Sequence, residues 1–222
     1  ATENYGLLAI PLFMLVGELM SAGGITARLV RAASVAAGAT RGGLVYVNLL
    51  ANTMVASILG SAVAQIAVMS RVMVPEMAKQ GYSRDFAAAT TAAGGLLSPV
   101  IPPSMLFIIF GVIAQVSIGD MFLAGILPGV LMLGGFVLAV RWLGRTHDYP
   151  RAEALSQAQR RRYLVEGLPA AAIPGVILGS VLFGIATPTE AAALAALVAV
   201  VLGRWYYREL GWAQAWRAVV QA

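Results

Sequence analysis

A chain of 222 residues that is 59% hydrophobic and 11% charged stands far from ordinary soluble domains, in which about a quarter of residues carry charge. With a mean hydropathy of +0.81 and apolar stretches of span length, roughly 17–25 residues, it reads as an integral membrane protein. The formal charge of +5 comes mostly from Arg collected between the apolar runs, a positive-inside pattern that excludes nucleic-acid binding. The absence of Cys excludes disulfides and thiolate chemistry, and one His leaves little for a zinc site.

The chain begins at Ala1 and enters an apolar run almost at once, so it reads as a fragment lacking material at both ends. The first predicted helix covers Leu7 to Ser21, carries Pro11 and Glu18, and ends at Gly23–Gly24. Arg28, Arg31 and Arg41 follow on a short, Ala-rich amphipathic stretch suited to the membrane interface. Glu18 is a candidate to pair with one of these arginines or to serve a substrate.

Residues 42–77 are apolar again, with Gly60–Ser61 near the middle. Arg41 precedes them and Lys79 and Arg84 follow, so both ends face the cytoplasm. Two spans with a tight outer turn satisfy this, and so does a re-entrant hairpin whose tip stops within the bilayer. Asn48, Asn52, Thr53, Ser57 and Ser61 share a helical face leading to the tip, which favours the hairpin, although small polar residues also serve as helix–helix glue.

From Asp85 to Leu97 the chain rises into Gly94–Ser104, where no continuous helix can pass. Proline lacks the backbone N–H and clashes with the carbonyl four residues back. Pro99, Pro102 and Pro103 therefore deprive the carbonyls of Gly95, Ser98 and Pro99 of helical partners. In hydrocarbon each such group costs several kcal/mol unless protein, water or a ligand satisfies it. Ser104 to Val116 continues outward as a second half-helix, Gly119–Asp120 makes the outer turn, and Met121 to Val140 returns with a possible kink at Pro128–Gly129. Residues 144–162, with His147, Asp148 and Glu153, read as a solvated cytoplasmic connector.

Leu164 to Phe183 goes out and Ala191 to Leu202 comes back. Gly175 and Gly179 form a small-xxx-small pair that predicts a close helix neighbour. Thr187-Pro188-Thr189-Glu190 has the parts of a capping box, which explains an acid at the membrane edge without invoking function. Arg204, Arg208 and Arg217, with Trp205, Tyr206, Tyr207, Trp212 and Trp216, read as an interfacial belt and amphipathic end.

Two features converge on the bilayer middle, the Gly60–Ser61 tip and the break. Carbonyls released by proline, joined by serine hydroxyls, form a hard oxygen environment for a small cation such as Na+. The metal candidates are Ser57, Gly60, Ser61, Gly95, Ser98 and Pro99, mainly through backbone carbonyls. The second half-helix starts near Pro103–Ser104 with free N–H groups and its positive dipole end facing the break, which favours an anionic group. The substrate candidates are Ser61, Ser98, Pro102, Pro103 and Ser104. A coupling cation and an anion in one break is the arrangement of secondary transporters with discontinuous helices; a proline kink packed on a neighbour is the bland alternative.

Six motifs in order carry a family resemblance: Ala9-Ile10-Pro11-Leu12-Phe13 with Gly17 and Gly23–Gly24; Gly60-Ser61-Ala62-Val63-Ala64; Val74-Pro75 with Gly81-Tyr82; Ile101-Pro102-Pro103-Ser104; Ala124-Gly125 with Pro128-Gly129; and Thr187-Pro188-Thr189-Glu190. Together they resemble the large membrane subunit, DctM-like, of tripartite ATP-independent periplasmic (TRAP) transporters. The resemblance implies a Na+-driven secondary importer of organic acid anions (C4-dicarboxylates, keto acids or sialic acid) in the bacterial inner membrane. It implies a small membrane subunit and a periplasmic substrate-binding protein as partners. It also implies an elevator-type fold of two inverted repeats, of which this chain would hold the first. It raises the re-entrant reading of the hairpin. One departure stands out: Leu59 and Ala62 flank the tip, and Gln65 stands where an acid or hydroxyl is common. That argues against side-chain ligation at the tip and leaves backbone carbonyls.

The expected architecture is thus an all-α polytopic membrane bundle with a re-entrant hairpin and a discontinuous helix. It divides into a scaffold helix and interfacial segment (1–41), a transport-core half (42–117, hairpin 42–79 and broken helix 84–117), a span (118–145), a basic loop (146–162) and two further helices with an interfacial end (163–222). An intramembrane enzyme would need a nucleophile–base pair or metal cluster within the spans, and the sequence offers no His, Cys or paired acids there. A structural membrane subunit without its own substrate site, or a permease of another hairpin-containing ion transporter family, are the remaining alternatives.

Overall fold

Helices make up every element in the computed structural model, which describes residues 5–37, 40–145, 149–150 and 155–221, and side chains in those ranges apart from residues 5, 37, 57–59 and 221. The chain is an all-helical membrane protein. Among the described residues three helices are long and apolar enough to cross a bilayer, or four if one bent pair counts as a single span.

That bent pair opens the fold. A 3-10 turn leads into α1 (Ala9–Ala22), which stops at Gly23–Gly24; the N–H of Gly23 closes on the Leu19 carbonyl at 2.8 Å, and Gly24 takes a left-handed φ of 69°. The axis then turns by 74° into α2 (Ile25–Ala37). Ile25, Leu29 and Ala33, each four residues on, are buried, so α2 lays one stripe against its neighbours.

Arg28 fixes that turn. Its Nη2 donates to Glu209 Oε1 at 2.8 Å and its Nη1 to the Gly24 carbonyl at 2.9 Å, while the guanidinium lies 4.0 Å from the centroid of the Tyr207 ring. The Tyr207 hydroxyl donates to the backbone carbonyl of Glu166 at 2.6 Å. Arg31 faces the Glu166 carboxylate at 3.8 Å. The acids that pair with these arginines are therefore Glu209 and Glu166, not Glu18, which borders a cleft with Gln214 and Arg217. Both come from the far end of the sequence, beyond the reach of a local pairing rule.

Next come α3 (Gly43–Leu59), a two-residue connection at Gly60–Ser61, α4 (Ala62–Lys79) and α5 (Arg84–Gly95). Helices α3 and α4 form an antiparallel pair, and α5 returns along both. Their shared core holds Val45, Leu49, Met69, Met73, Met77 and Ala87. The segment 96–104 contains only turns, and α6 (Met105–Ala114) follows. The next turn sits at Gln115–Ser117, not at Gly119–Asp120: Gln115 is left-handed, and the Ser117 hydroxyl accepts from the N–H of Asp120, already in the first turn of α7 (Ile118–Leu143).

The first turns of α8 (Gln157–Leu182) lie inside the predicted connector. Ser156 and Gln159 form a capping box that starts the helix before its apolar part, so Arg160–Arg162 are helical. His147, Asp148 and Glu153 lie outside the described residues. Tyr149 and Pro150 dock instead of dangling: the Pro150 carbonyl accepts from the N–H of Gly42 at 3.3 Å and from the Tyr82 hydroxyl at 3.4 Å, and the Tyr149 ring stacks 5.2 Å from Phe86.

The Thr187–Glu190 capping box forms as the sequence predicts and opens α9 (Pro188–Val201). A π-helical turn, Leu202–Tyr206, follows, and α10 (Trp212–Gln221) ends the chain. A second core joins α1, α8, α9 and α10 through Phe13, Met20, Ile173, Ile177, Ala195 and Ala218. The close neighbour expected at Gly175 and Gly179 is absent among the described residues, with nothing within 4 Å of a Cβ at either; the intimate contact on α8 is Gly167 against Ala32.

Candidate functional site

The tip and the break do meet. Gly60 ends α3 with φ 59°, a conformation glycine adopts without steric cost. A Cβ there would lie 3.1 Å from the backbone N of Met105 and 3.6 Å from the Pro103 carbonyl oxygen. The tip thus covers the first turn of α6, where the helix has free N–H groups. Ser61 begins α4 in an extended conformation without a side-chain cap, and its carbonyl accepts from Gln65 at 3.0 Å.

Inside the break the carbonyls are better satisfied than proline chemistry alone implies. Gly95 O accepts from the N–H of Ser98 at 3.1 Å, and Pro99 O accepts from the Ser104 hydroxyl at 2.8 Å. Two of the three expected orphans therefore have an internal partner, because tight turns and one serine replace the helical ladder. The Ser98 hydroxyl is different: it is fully buried and has no hydrogen-bond partner among the described residues. An unpaired buried polar group costs about 1–3 kcal/mol, which sets Ser98 apart from the carbonyls around it. Pro102 and Pro103, joined by a cis peptide bond, lead to Ser104 at the N-cap of α6. The Ser57 side chain lies outside the described residues.

Helix α7 backs the break. A Cβ on Gly125 would come within 2.7 Å of the Val100 carbonyl oxygen, and one on Gly129 within 2.9 Å of Ile101 Cγ1. These two glycines, one helical turn apart, let residues 100–101 lie directly on the helix. The sequence signal was present as a small-xxx-small pair, but the motif alone names no partner.

A ladder of buried polar side chains runs from the hairpin base toward the tip. Asn48 Nδ2 donates to Thr91 Oγ1 at 2.9 Å; Asn52 Nδ2 donates to Asn48 Oδ1 at 2.8 Å; Gln65 Nε2 donates to the Asn52 backbone carbonyl at 2.8 Å and to Asn52 Oδ1 at 3.0 Å. All four residues are fully buried. Asn48 and Asn52 thus join helices, and Thr53 turns back to the Leu49 carbonyl at 2.8 Å. Gln65 and Thr91, which the sequence did not mark as partners, complete the ladder. Among the described residues the Gln65 Oε1 atom is buried without a partner, an unpaired oxygen in the hairpin beside that of Ser98 in the break.

Among the described residues no three His, Asp or Glu side chains converge. The oxygens offered near the break are hydroxyls, amides and backbone carbonyls, which are hard ligands.

A family model described as "Tripartite ATP-independent periplasmic transporter, DctM component" matches residues 1–222. A 2,3-diketo-L-gulonate TRAP transporter large permease protein from Escherichia coli is 39% identical over 99% of this chain and 52% of its own length. A C4-dicarboxylate TRAP transporter large permease protein from Vibrio cholerae is 34% identical over 94% of this chain and 46% of its own. A sialic acid TRAP transporter large permease protein from the same organism is 34% identical over 94% and 49%. The chain spans about half the length of these curated relatives.

Proposed function

We propose that this chain, which belongs to the DctM-component family of tripartite ATP-independent periplasmic transporters, forms part of a Na+-coupled permease that imports organic acid anions across the bacterial inner membrane. The substrate class follows relatives named for C4-dicarboxylate, sialic acid and 2,3-diketo-L-gulonate. A small membrane subunit and a periplasmic substrate-binding protein complete the assembly. In this reading α3 and α4 form a re-entrant hairpin, α5 and α6 form one discontinuous helix, and the two move together as half of an elevator-type core.

The observation that carries the reading is the fully buried, unpartnered Ser98 hydroxyl within a break whose other side is capped by Gly60. Na+ would sit among the Ser98 hydroxyl and the backbone carbonyls of the tip and the break, with Gly60, Ser61, Gly95 and Pro99 as neighbours. The anion would face the free N–H groups at the start of α6, near Ser61 and Pro102–Ser104. Binding the cation beside the anion offsets its charge, so each favours the other.

The consumption of Asn48, Asn52, Gln65 and Thr91 in helix–helix bonds favours a second reading, a structural subunit without its own substrate site. Reconstitution of the full-length permease with its partners separates the two. Uptake of a C4-dicarboxylate, sialate or diketogulonate should require an inward Na+ gradient. Uptake indifferent to Na+ removes the coupling, and no uptake of any of these anions favours the structural subunit.

A further inference from the structure

Helices α1, α9 and α10, with the π-helical turn after α9, border an apolar groove of about 560 Å³ whose walls include Leu19, Ala196, Val200, Trp205, Trp212 and Trp216. The three tryptophans are 61%, 67% and 69% exposed, so the largest apolar side chains of this end are not used in the protein's own core. Along α9 and the π-helical turn that continues it, the lining runs from Ala193 to Trp205, roughly 18 Å at about 1.5 Å per residue. Half of a bilayer's hydrocarbon core is about 15 Å. The groove therefore has the length of one leaflet and opens at the membrane–water boundary, where Trp is favoured.

Charge selects the occupant. Residues 202–221 carry Arg204, Arg208 and Arg217 and a single acid, Glu209, whose carboxylate is bound to Arg28. The guanidinium of Arg204 lies 5.6 Å from the centroid of Trp212, a ring that lines the groove, and Arg208 is exposed nearby in the sequence. A polypeptide partner would have to bring a carboxylate into the apolar boundary to meet Arg204. An anionic phospholipid carries its phosphate at that depth already, and basic residues there favour it.

We propose that this groove seats an acyl chain of an anionic phospholipid, with the lipid phosphate held by Arg204 and drawn by Arg208. The site is independent of the substrate break, since it lies on other helices. Native mass spectrometry of the detergent-purified permease, given equal phosphatidylglycerol and phosphatidylcholine, tests it. The wild type should retain phosphatidylglycerol at least tenfold over phosphatidylcholine, and the double variant Arg204→Ala/Arg208→Ala should fall below twofold. Ala193→Phe, at an exposed position, should lower occupancy by both lipids by placing a ring in the groove. Thermal unfolding confirms that each variant is folded. Equal retention by the wild type, an unchanged preference in the double variant, full occupancy in Ala193→Phe, or a polypeptide that displaces the lipid would each overturn the proposal.

Discussion

The Asn52 side chain occupies the space that a Cβ on Gly94 would need, at 2.8 Å from its Cγ and 2.9 Å from its Cβ and Nδ2. Asn52 cannot yield cheaply, because Nδ2 is bound to Asn48 and the side-chain oxygen accepts from Gln65. Gly94→Ala should destabilise by about 1–3 kcal/mol, the usual cost of overpacking. Thermal unfolding in detergent measures this, and adding Asn52→Ala should recover part of the loss. Full additivity of the two substitutions would mean that the contact is not what resists the methyl group.

Asn48 and Thr91 bridge α3 and α5 at 2.9 Å in a fully buried setting. Bonds of this kind between membrane helices average about 0.6 kcal/mol and reach about 1.7. Thr91→Val keeps the shape, removes the acceptor and leaves an Asn48 donor unpaired, so it should cost near the upper end. A double-mutant cycle with Asn48→Leu reads the coupling directly. A coupling of zero would show the ladder to be filler.

Gly60 combines a φ of 59° with a 3.1 Å approach to Met105. Gly60→Ala should cost about 1–2 kcal/mol for the left-handed conformation, with the neighbouring loop shifting by a few tenths of an ångström. The larger expected effect is functional: Na+-dependent uptake should fall at least tenfold while the folded protein is still expressed and its Tm falls by only about 2–8 °C. Normal uptake with a normal Na+ dependence would separate the tip from the cation site.

The Glu209 carboxyl is held below the ordinary carboxylate range, chiefly by the hydrogen bond from Arg28 and further by its charge, against an opposing effect of burial. A depressed folded-state value contributes stability that is present above the unfolded value of 4.5 and is lost as pH falls through the folded one. At 49% side-chain exposure solvent screens the pair, and the effect should not exceed about 2 °C in Tm. Wild type should unfold slightly above Glu209→Gln at neutral pH, and the gap should close as pH falls below 4.5 and through the lowered folded-state value. A gap that persists in acid would assign the difference to packing.

What was legible in the sequence was local. The capping box at Thr187 and Glu190 depends on residues three apart, and the break depends on prolines acting on carbonyls four residues back, so both could be read from spacing. The face shared by Asn48 and Asn52 was legible for the same reason, but Thr91 and Gln65 were not, because only the return of α4 and α5 brings them opposite. Arg28 and Glu209 lie 181 residues apart, a pairing that no periodicity encodes. Hydropathy hid the start of α8, since a polar first turn resembles a loop until the Ser156–Gln159 cap is noticed. Gly175 and Gly179 mark the converse limit, a motif that permits a close neighbour without supplying one. Within the site, the prolines announced that carbonyls would be released, yet the serine and turn N–H groups that recapture Gly95 and Pro99 depend on the path the chain takes after the break.

One carbonyl, that of Pro150, receives donors from the entrance of α3 and from the turn between α4 and α5, while its neighbour Tyr149 stacks on Phe86 at the start of α5. Three loops distant in sequence are thereby riveted into a single plate at the base of the hairpin. Any displacement of that base is shared by the loop following α7, whose Gly125 and Gly129 carry the far side of the break. The hairpin and α5 are thus tied together at the plate, while at the other end Gly60 packs against the start of α6.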